Sequence, residues 1–589
     1  MTGVDAGGHR GAHARTTAAR TADRTVPGSG RAAGTRATPG ARGGASGSAA
    51  ERSLTERLLV PAVPAILGLI TGLYHLGVPP LWRDEAATKA IASRSVGQIL
   101  ATMPHDDVVH GAYYLVVHVF IRLFGSSNGT LRLPSVIAAA VACAFTALVA
   151  RRLAADGGRW YAALTGVTAG AVLALLPAMI RYAQEARSYA IVTMLAAIAT
   201  YLLLCAIDRG RPRWWAGYGA AVFLTGLCNI FGLLIVVAHG LTLLATGWRG
   251  SAGRAPTGQY YGADYDSAAA AQPRGRRLLG VPAGWLAAGL AAVVLLVPLV
   301  AVAYAQRNAL SWMSASASLG RDTVALTHLW AGSPGLVWPV FGLAALGVVA
   351  SLTAGPRLLS PATVALPWLV APPAILLAVS TTHPVYDQRY VEFCLPGLAI
   401  CAAAGITWLW RAVARGLGRR TPGSRAAIGW LACLPAVAAA VALAVALQPA
   451  DAVVRQPSYR PDNLEYEAQI IAANSKPGDI VFFIPLNDRI VSMPFPGPWQ
   501  NLRDIALADS PVSSNTLYGT DVGPAGLLRR FTHVTRVWVV SSSEVPQATY
   551  LASAQATPLD KEEFALVGAM RKVHRWRDGD TELTLYSAR

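Results

Sequence analysis

Asp84 and Glu85 are adjacent carboxylates that directly follow an apolar stretch running from Leu58 to Val78. Charge beside a membrane is costly unless it is paired or used. Two readings of the pair stand side by side. Acidic side chains in a helix first turn are stabilised by the backbone dipole, so the pair caps an interfacial helix; alternatively it supplies a general base. Three more stretches between apolar segments concentrate ionisable and aromatic residues: His105-Asp106-Asp107 with His110 and Tyr113-Tyr114; Arg181-Tyr182-Ala183-Gln184-Glu185-Ala186-Arg187-Ser188-Tyr189; and His383-Pro384-Val385-Tyr386-Asp387-Gln388-Arg389-Tyr390. Singly, each has a structural explanation: Arg187 bridges Glu185 or headgroups, Arg389 anchors at an interface beside Tyr390, and His110 is a satisfied interfacial histidine. Together they suit one chemistry. Carboxylates do general-base work, and arginines with tyrosines hold a lipid-linked phosphate.

The remainder of the chain must position these stretches. Its 589 residues are 53% hydrophobic and 14% charged, with a mean hydropathy of +0.40. Those values are too apolar for a soluble enzyme of this length and suit a polytopic membrane protein. A net charge of +18 raises the possibility of a nucleic-acid partner. The arginines, however, lie in the N-terminal tail and in short loops between apolar segments, which the positive-inside rule explains better. The six cysteines fall within or at the ends of apolar segments, so neither a disulfide framework nor a zinc site is indicated.

A spanning helix needs about 20 mostly apolar residues. Eleven candidates meet that need: 59–78, 131–150, 160–180, 189–207, 214–230, 231–248, 284–304, 336–354, 361–380, 391–410 and 427–447. With a cytoplasmic N-terminus, the loops that carry most of the loop arginines face the cytoplasm, and the four polar stretches face the opposite side. Tyr113 to Gly125 is apolar but short for a span, and it carries His118 and Arg122. It reads as a re-entrant or interfacial amphipathic helix within a long first external loop, 79–130.

Residues 1–55, rich in Gly, Ala, Arg, Thr and Ser, read as a disordered cytoplasmic tail. Residues 56–447 form the membrane domain, and an odd number of spans leaves 448–589 outside. Within that last region 462–474 reads as an amphipathic helix, Lys476-Pro477-Gly478-Asp479 as a turn, and Ile480–Pro485 and Val534–Ser541 as strands. Residues 573–586 read as a hairpin around Asp578-Gly579-Asp580. The expected fold is a polytopic all-α membrane protein with a small C-terminal extracytoplasmic α/β domain.

The order of these features resembles a family. Asp84-Glu85 follows the first span, a long loop ends in Leu123-Phe124-Gly125, and Leu131-Arg132-Leu133-Pro134-Ser135 opens the second span. This is similar to the GT-C membrane glycosyltransferases, in the branch of protein O-mannosyltransferases and the lipid A aminoarabinose transferase. Tyr182 to Tyr189, and Arg389-Tyr390 followed by Pro396-Gly397, are similar to patterns in bacterial mannosyltransferase-like members. The resemblance covers about residues 58–410. It implies a polyprenyl-phosphate sugar donor and an inverting displacement at the anomeric carbon. Asp84 is then the base that deprotonates the acceptor hydroxyl, and Glu85 holds the acceptor or orients Asp84. His110, Arg389 and Tyr390 meet the donor phosphate, while Glu185 and Arg187 lie near the sugar. Asp106, Asp107 and Tyr114 are further candidates. Unlike the aminoarabinose transferase, this chain has no lysine before the aromatic pair of the first loop.

The expected activity is therefore transfer of a sugar, mannose in the first instance, from a polyprenyl phosphate to an acceptor hydroxyl outside the cell membrane. The acceptor is a protein, a lipid or a glycan. No cofactor is required; a divalent ion held by Asp84 and Asp107 is compatible with the residues, but no spacing demands one. The competing reading is a transporter or flippase of a lipid-linked or small polar solute. Such proteins usually place charge near the bilayer midplane and show internal repeats. Here the charges sit at helix mouths and no repeat is evident.

Overall fold

The computed structural model describes residues 43–251, 274–307, 318–355, 358–420, 434–542 and 545–589. Within them, each of the eleven apolar segments lies on helical structure. In chain order these are Gly43–Leu73, Asn128–Leu153, the pair Arg159–Leu175 and Pro177–Ala183, Tyr189–Arg209, Pro212–Cys228, Leu234–Ser251, Arg274–Ala305, Val337–Thr353, Leu366–Ser380, Leu395–Arg420 and Leu434–Val454. Among the described residues seven spans are long and apolar enough to cross a membrane unaided, and the bent pair makes an eighth. Residues 1–42 of the expected tail, and the start of segment 427–447, lie outside the described residues. The first helix begins at Gly43, inside the stretch read as tail, where Ala49-Ala50-Glu51-Arg52 supplies good helix formers.

Two interruptions shape the polar end of the bundle. Pro177 disfavours helical geometry at the residue before it, and Leu176 is extended (φ −67°, ψ 126°). The chain bends there by 64°, and the short helix Pro177–Ala183 delivers Arg181 to Arg187 to the mouth of the bundle. Residues Gly111–Phe124 form the helix expected in the first loop. Tyr113, Tyr114 and Val117 are buried, while Val116, Val119 and Leu123 on the other face are exposed. That division is what an interfacial helix requires.

Helices Val337–Thr353 and Leu395–Arg420 touch through glycines. A Cβ at Gly405 would lie 2.1 Å from the Leu343 carbonyl oxygen, and one at Gly347 would lie 2.0 Å from that of Cys401. Backbone cannot retreat as a side-chain tip can, so close approach of this kind needs small residues. Gly405→Ala is expected to destabilise the purified protein by about 1–3 kcal/mol. A lowered thermal unfolding midpoint checks this.

The C-terminal region is an α/β domain. Its strands are β1 (Ile480–Ile484), β2 (Arg503–Asp504), β3 (Leu507–Asp509), β4 (Thr520–Asp521), β5 (Arg536–Ser542), β6 (Arg571–Asp578) and β7 (Thr581–Ser587). Five of them form a sheet in the order β2-β1-β5-β7-β6, with β1 parallel to β2 and β5, and β7 antiparallel to β5 and β6. Strand β1 is buried at every position, as a central strand covered on both faces should be. The expected helix, turn, two strands and hairpin are all present; the edge strand β2, the small β3–β4 ladder and the helix Pro558–Gly568 had no clear periodic signal.

This domain packs directly on the first loop. Arg83 donates from Nε to Asp462 (3.3 Å), from Nη2 to the Thr581 hydroxyl (3.0 Å), and from Nη1 to Asp488. Lys89 reaches the Pro494 carbonyl at 2.9 Å, Arg94 that of Thr516 at 2.8 Å, and the Leu517 amide donates to Asp106 at 2.6 Å. Leu81, Ile91, Tyr113 and Tyr114 belong to the same buried apolar cluster as Leu464, Trp538 and Leu583. The first loop is thus clamped between the bundle and the α/β domain.

Candidate active site

Arg83, Asp84 and Glu85 open the helix Arg83–Ala92, and the roughly 100° step per helical residue sends them three ways. Arg83 faces the C-terminal domain. Glu85 points into the bundle, where its oxygens accept from Arg132 Nε and Nη2, each at 2.7 Å, and from the Ala186 amide at 2.9 Å. Arg132 spends its other donors on the carbonyls of Leu76, Pro79 and Pro80, at 2.9–3.1 Å. Both side chains of this fork have no solvent exposure. Glu85 therefore orients the start of the helix, and with it Asp84, rather than facing a substrate.

Asp84 faces the mouth of the bundle. Arg389 donates to its Oδ2 at 2.6 Å, and Arg187 Nε lies 3.7 Å from the same oxygen. Arg187 also donates to Asp107 (3.3 Å) and to the Tyr114 hydroxyl (3.2 Å), and Tyr114 donates to Asp107. His110 completes this side, with Nδ1 3.3 Å from the Ser188 hydroxyl and Nε2 3.9 Å from Asp107. Arg389 pairs with Asp387 at 3.2 Å, and its guanidinium lies over the rings of Trp82 (5.6 Å) and Tyr390 (5.8 Å). Tyr390 in turn stacks on Phe231, with centroids 5.0 Å apart. One residue or more from each of the four polar stretches meets here. Asp84 and Asp107 keep about a quarter of their side chains exposed, at 26% and 25%, so the cluster opens to solvent.

Electrostatics separates the roles. Burial pushes the Asp84 carboxyl up, but the guanidiniums of Arg187 and Arg389 outweigh it and hold Asp84 below its ordinary value. Asp107 is likewise lowered: burial opposes, and His110, Arg187 and the Tyr114 hydrogen bond prevail. Burial, reinforced by Arg187, pushes His110 down to about 4. At neutral pH it is uncharged and presents an N–H donor rather than a positive charge.

Two expected residues stand apart from this cluster. Glu185 is fully buried and turns to Arg181 (3.1 Å) and to Arg460 (3.3 Å), which also bonds the Gln184 carbonyl at 2.9 Å. Burial pushes its carboxyl up to about 7 against the pull of Arg181. Asp106 is spent on the Leu517 amide. Both tie the loops to the segment beyond the last membrane helix. Sequence reasoning gave no site role to Arg132, Arg83 and Trp82, which support the cluster. Of these, Arg132 had a readable signal: an arginine four residues into an apolar helix needs a buried acid. Among the described residues, no group of three or more His, Cys, Asp or Glu side chains is placed to hold a metal ion.

Residues 112–260 match the family model described as dolichyl-phosphate-mannose-protein mannosyltransferase. That segment carries Tyr114, Arg132 and Arg187. None of the curated proteins matches the sequence. Among solved structures, ArnT from Cupriavidus metallidurans bound to undecaprenyl phosphate superposes with a TM-score of 0.50 at 16% identity, covering 90% of this chain and 97% of ArnT. The apo form of ArnT gives 0.49 at 16% identity, with coverages of 91% and 98%. The oligosaccharyltransferase AglB from Archaeoglobus fulgidus, in complex with an inhibitory peptide and a dolichol-phosphate, gives 0.47 at 12% identity, with coverages of 91% and 74%. The matched segment and the shared fold agree with the convergence of the four polar stretches: the chain has a GT-C-like fold of the kind seen in ArnT, and its residues 112–260 are similar to the mannosyltransferase family.

Proposed function

We propose that the chain transfers a sugar, mannose in the first instance, from a polyprenyl phosphate to an acceptor hydroxyl on the extracytoplasmic face of the cell membrane. The observation that carries this reading is the meeting of Asp84 with Arg187 and Arg389 at an open bundle mouth. Asp84 takes the proton of the acceptor hydroxyl as its oxygen attacks the anomeric carbon. The bond from that carbon to the phosphate oxygen breaks on the opposite face, which inverts the configuration. Arg187 and Arg389, with the His110 N–H, neutralise the charge that accumulates on the phosphate. A mouth at the membrane surface lets a lipid-borne donor enter sideways, which a transporter site at the bilayer midplane does not need. In this reading the α/β domain, which packs over the same loop, meets the acceptor, whether that is a protein, a lipid or a glycan.

Two measurements test this. Purified full-length protein in proteoliposomes should release polyprenyl phosphate from polyprenyl-phosphate mannose and not consume nucleotide sugars; turnover of a nucleotide sugar alone contradicts the donor class. A reporter active only outside the cytoplasm should be active when fused after Gln448. Activity of a cytoplasmic reporter there contradicts the sidedness.

A further inference from the structure

The cluster at the bundle mouth is overfilled with negative charge. Two guanidiniums, Arg187 and Arg389, face three carboxylates: Asp84, Asp107 and Asp387. His110 between them is neutral at physiological pH. A phosphate brought to those arginines meets an anion already in place, so at least one carboxylate must move. The three are not equally held. Asp107 also accepts from the Tyr114 hydroxyl. Asp387 accepts from the Arg389 backbone amide at 3.1 Å, as the N-cap of the segment Gln388–Cys394. Among the described residues the Asp84 carboxylate has hydrogen-bond and ion-pair partners only in the two guanidiniums, and it is the one carboxylate that touches both.

We propose that Asp84 is an internal stand-in for the donor's phosphate: it occupies the Arg187–Arg389 pair in the resting chain, and a lipid-linked phosphate binds by displacing it. The inference rests on the phosphate reading of those two arginines and adds an order of events to it. A sugar-bearing phosphodiester carries one negative charge, so it replaces the carboxylate one for one. Displacement swings Asp84 off the guanidiniums and leaves it beside the sugar, with its electron pairs available to the acceptor hydroxyl. The base is therefore freed only when a donor is bound, which suppresses its reaction with other partners in the donor's absence. After transfer the phosphate is a monoester carrying close to two negative charges, which the two guanidiniums match. Once Asp84 has passed the acceptor's proton to solvent, its carboxylate returns to the pair and helps to expel the lipid phosphate.

The stand-in predicts a gain in binding from the loss of a polar residue. Undecaprenyl phosphate, titrated into the full-length protein in nanodiscs, is the probe. Asp84→Asn and Asp84→Ser should each tighten its Kd by about tenfold, because no internal anion competes and no like charge is left against the phosphate. Asp106→Asn, which removes a charge from the same loop outside the cluster, should change it by less than about twofold. Arg389→Ala should weaken binding by at least about tenfold. Unchanged or weaker binding in both Asp84 variants, with the loss in Arg389→Ala intact, overturns the displacement and leaves the phosphate site standing. Equal tightening in Asp106→Asn overturns it too, because the effect is then general charge. Wild-type affinity in Arg389→Ala overturns the phosphate reading and the stand-in with it.

Discussion

Glu85→Gln is expected to cost the folded protein about 3–5 kcal/mol, because it strands a buried guanidinium. Arg132 and Glu85 are both wholly inaccessible to solvent and meet through two hydrogen bonds of 2.7 Å. Taking two charges out of water is repaid only when they face each other; removing one leaves the other uncompensated. The amide of Gln can accept on one side only, and its NH2 group would point at a donor, either Arg132 or the Ala186 amide. The same account expects the double replacement Glu85→Leu with Arg132→Leu to cost less than either single one, since it removes both desolvation penalties together. Thermal unfolding of the purified protein measures Glu85→Gln, the double replacement and both of its single replacements. Asp84→Asn, one residue away and partly exposed, is the control and should change stability little. A Glu85→Gln protein as stable as the wild type contradicts the fork.

The second large effect falls on activity. A positioned general base contributes on the order of 10²–10⁴ in rate, so Asp84→Asn should lower transfer by about 10³ while the protein still folds and still binds the lipid phosphate. The pH profile adds a sign. Asp84 sits below its ordinary value in the resting chain, so it stays ionised as the pH falls through the usual carboxylate range. The acid limb of kcat/KM for the donor, which reports the free enzyme, should lie below about pH 4, the unperturbed carboxylate value. His110, held near 4, adds no step between pH 5 and 8. An acid limb near 6.5, the ordinary histidine value of about that size, would assign the base role to His110 instead.

The membrane part of the fold was legible because a span announces itself by composition alone. Among the described residues the eleven apolar segments fall on helical structure, and seven helices, or eight with the bent pair, are long and apolar enough to span. The bend at Leu176 was hidden inside segment 160–180, since Pro177 is itself apolar and the segment reads as one span. Site legibility followed the same division. Polar residues at helix mouths are conspicuous, so Asp84, Asp107, His110, Tyr114, Arg187, Arg389 and Tyr390 stood out and lie together. Which way each points was not legible. Arg83, Asp84 and Glu85 are contiguous, yet they serve the α/β domain, the cluster and the buried fork respectively. That assignment depends on where Arg132, Asp462 and Arg389 arrive from distant parts of the chain. Glu185 and Asp106 illustrate the same point: each partners a residue of the C-terminal region, Arg460 and Leu517, that no local pattern connects to it.

The most direct test of the central claim is a single-turnover measurement on full-length protein preloaded with polyprenyl-phosphate mannose, comparing wild type with Asp84→Asn. The account predicts polyprenyl phosphate release by the wild type and a rate lower by about 10³ in the variant, with donor binding retained. Equal release rates in the two proteins would contradict it.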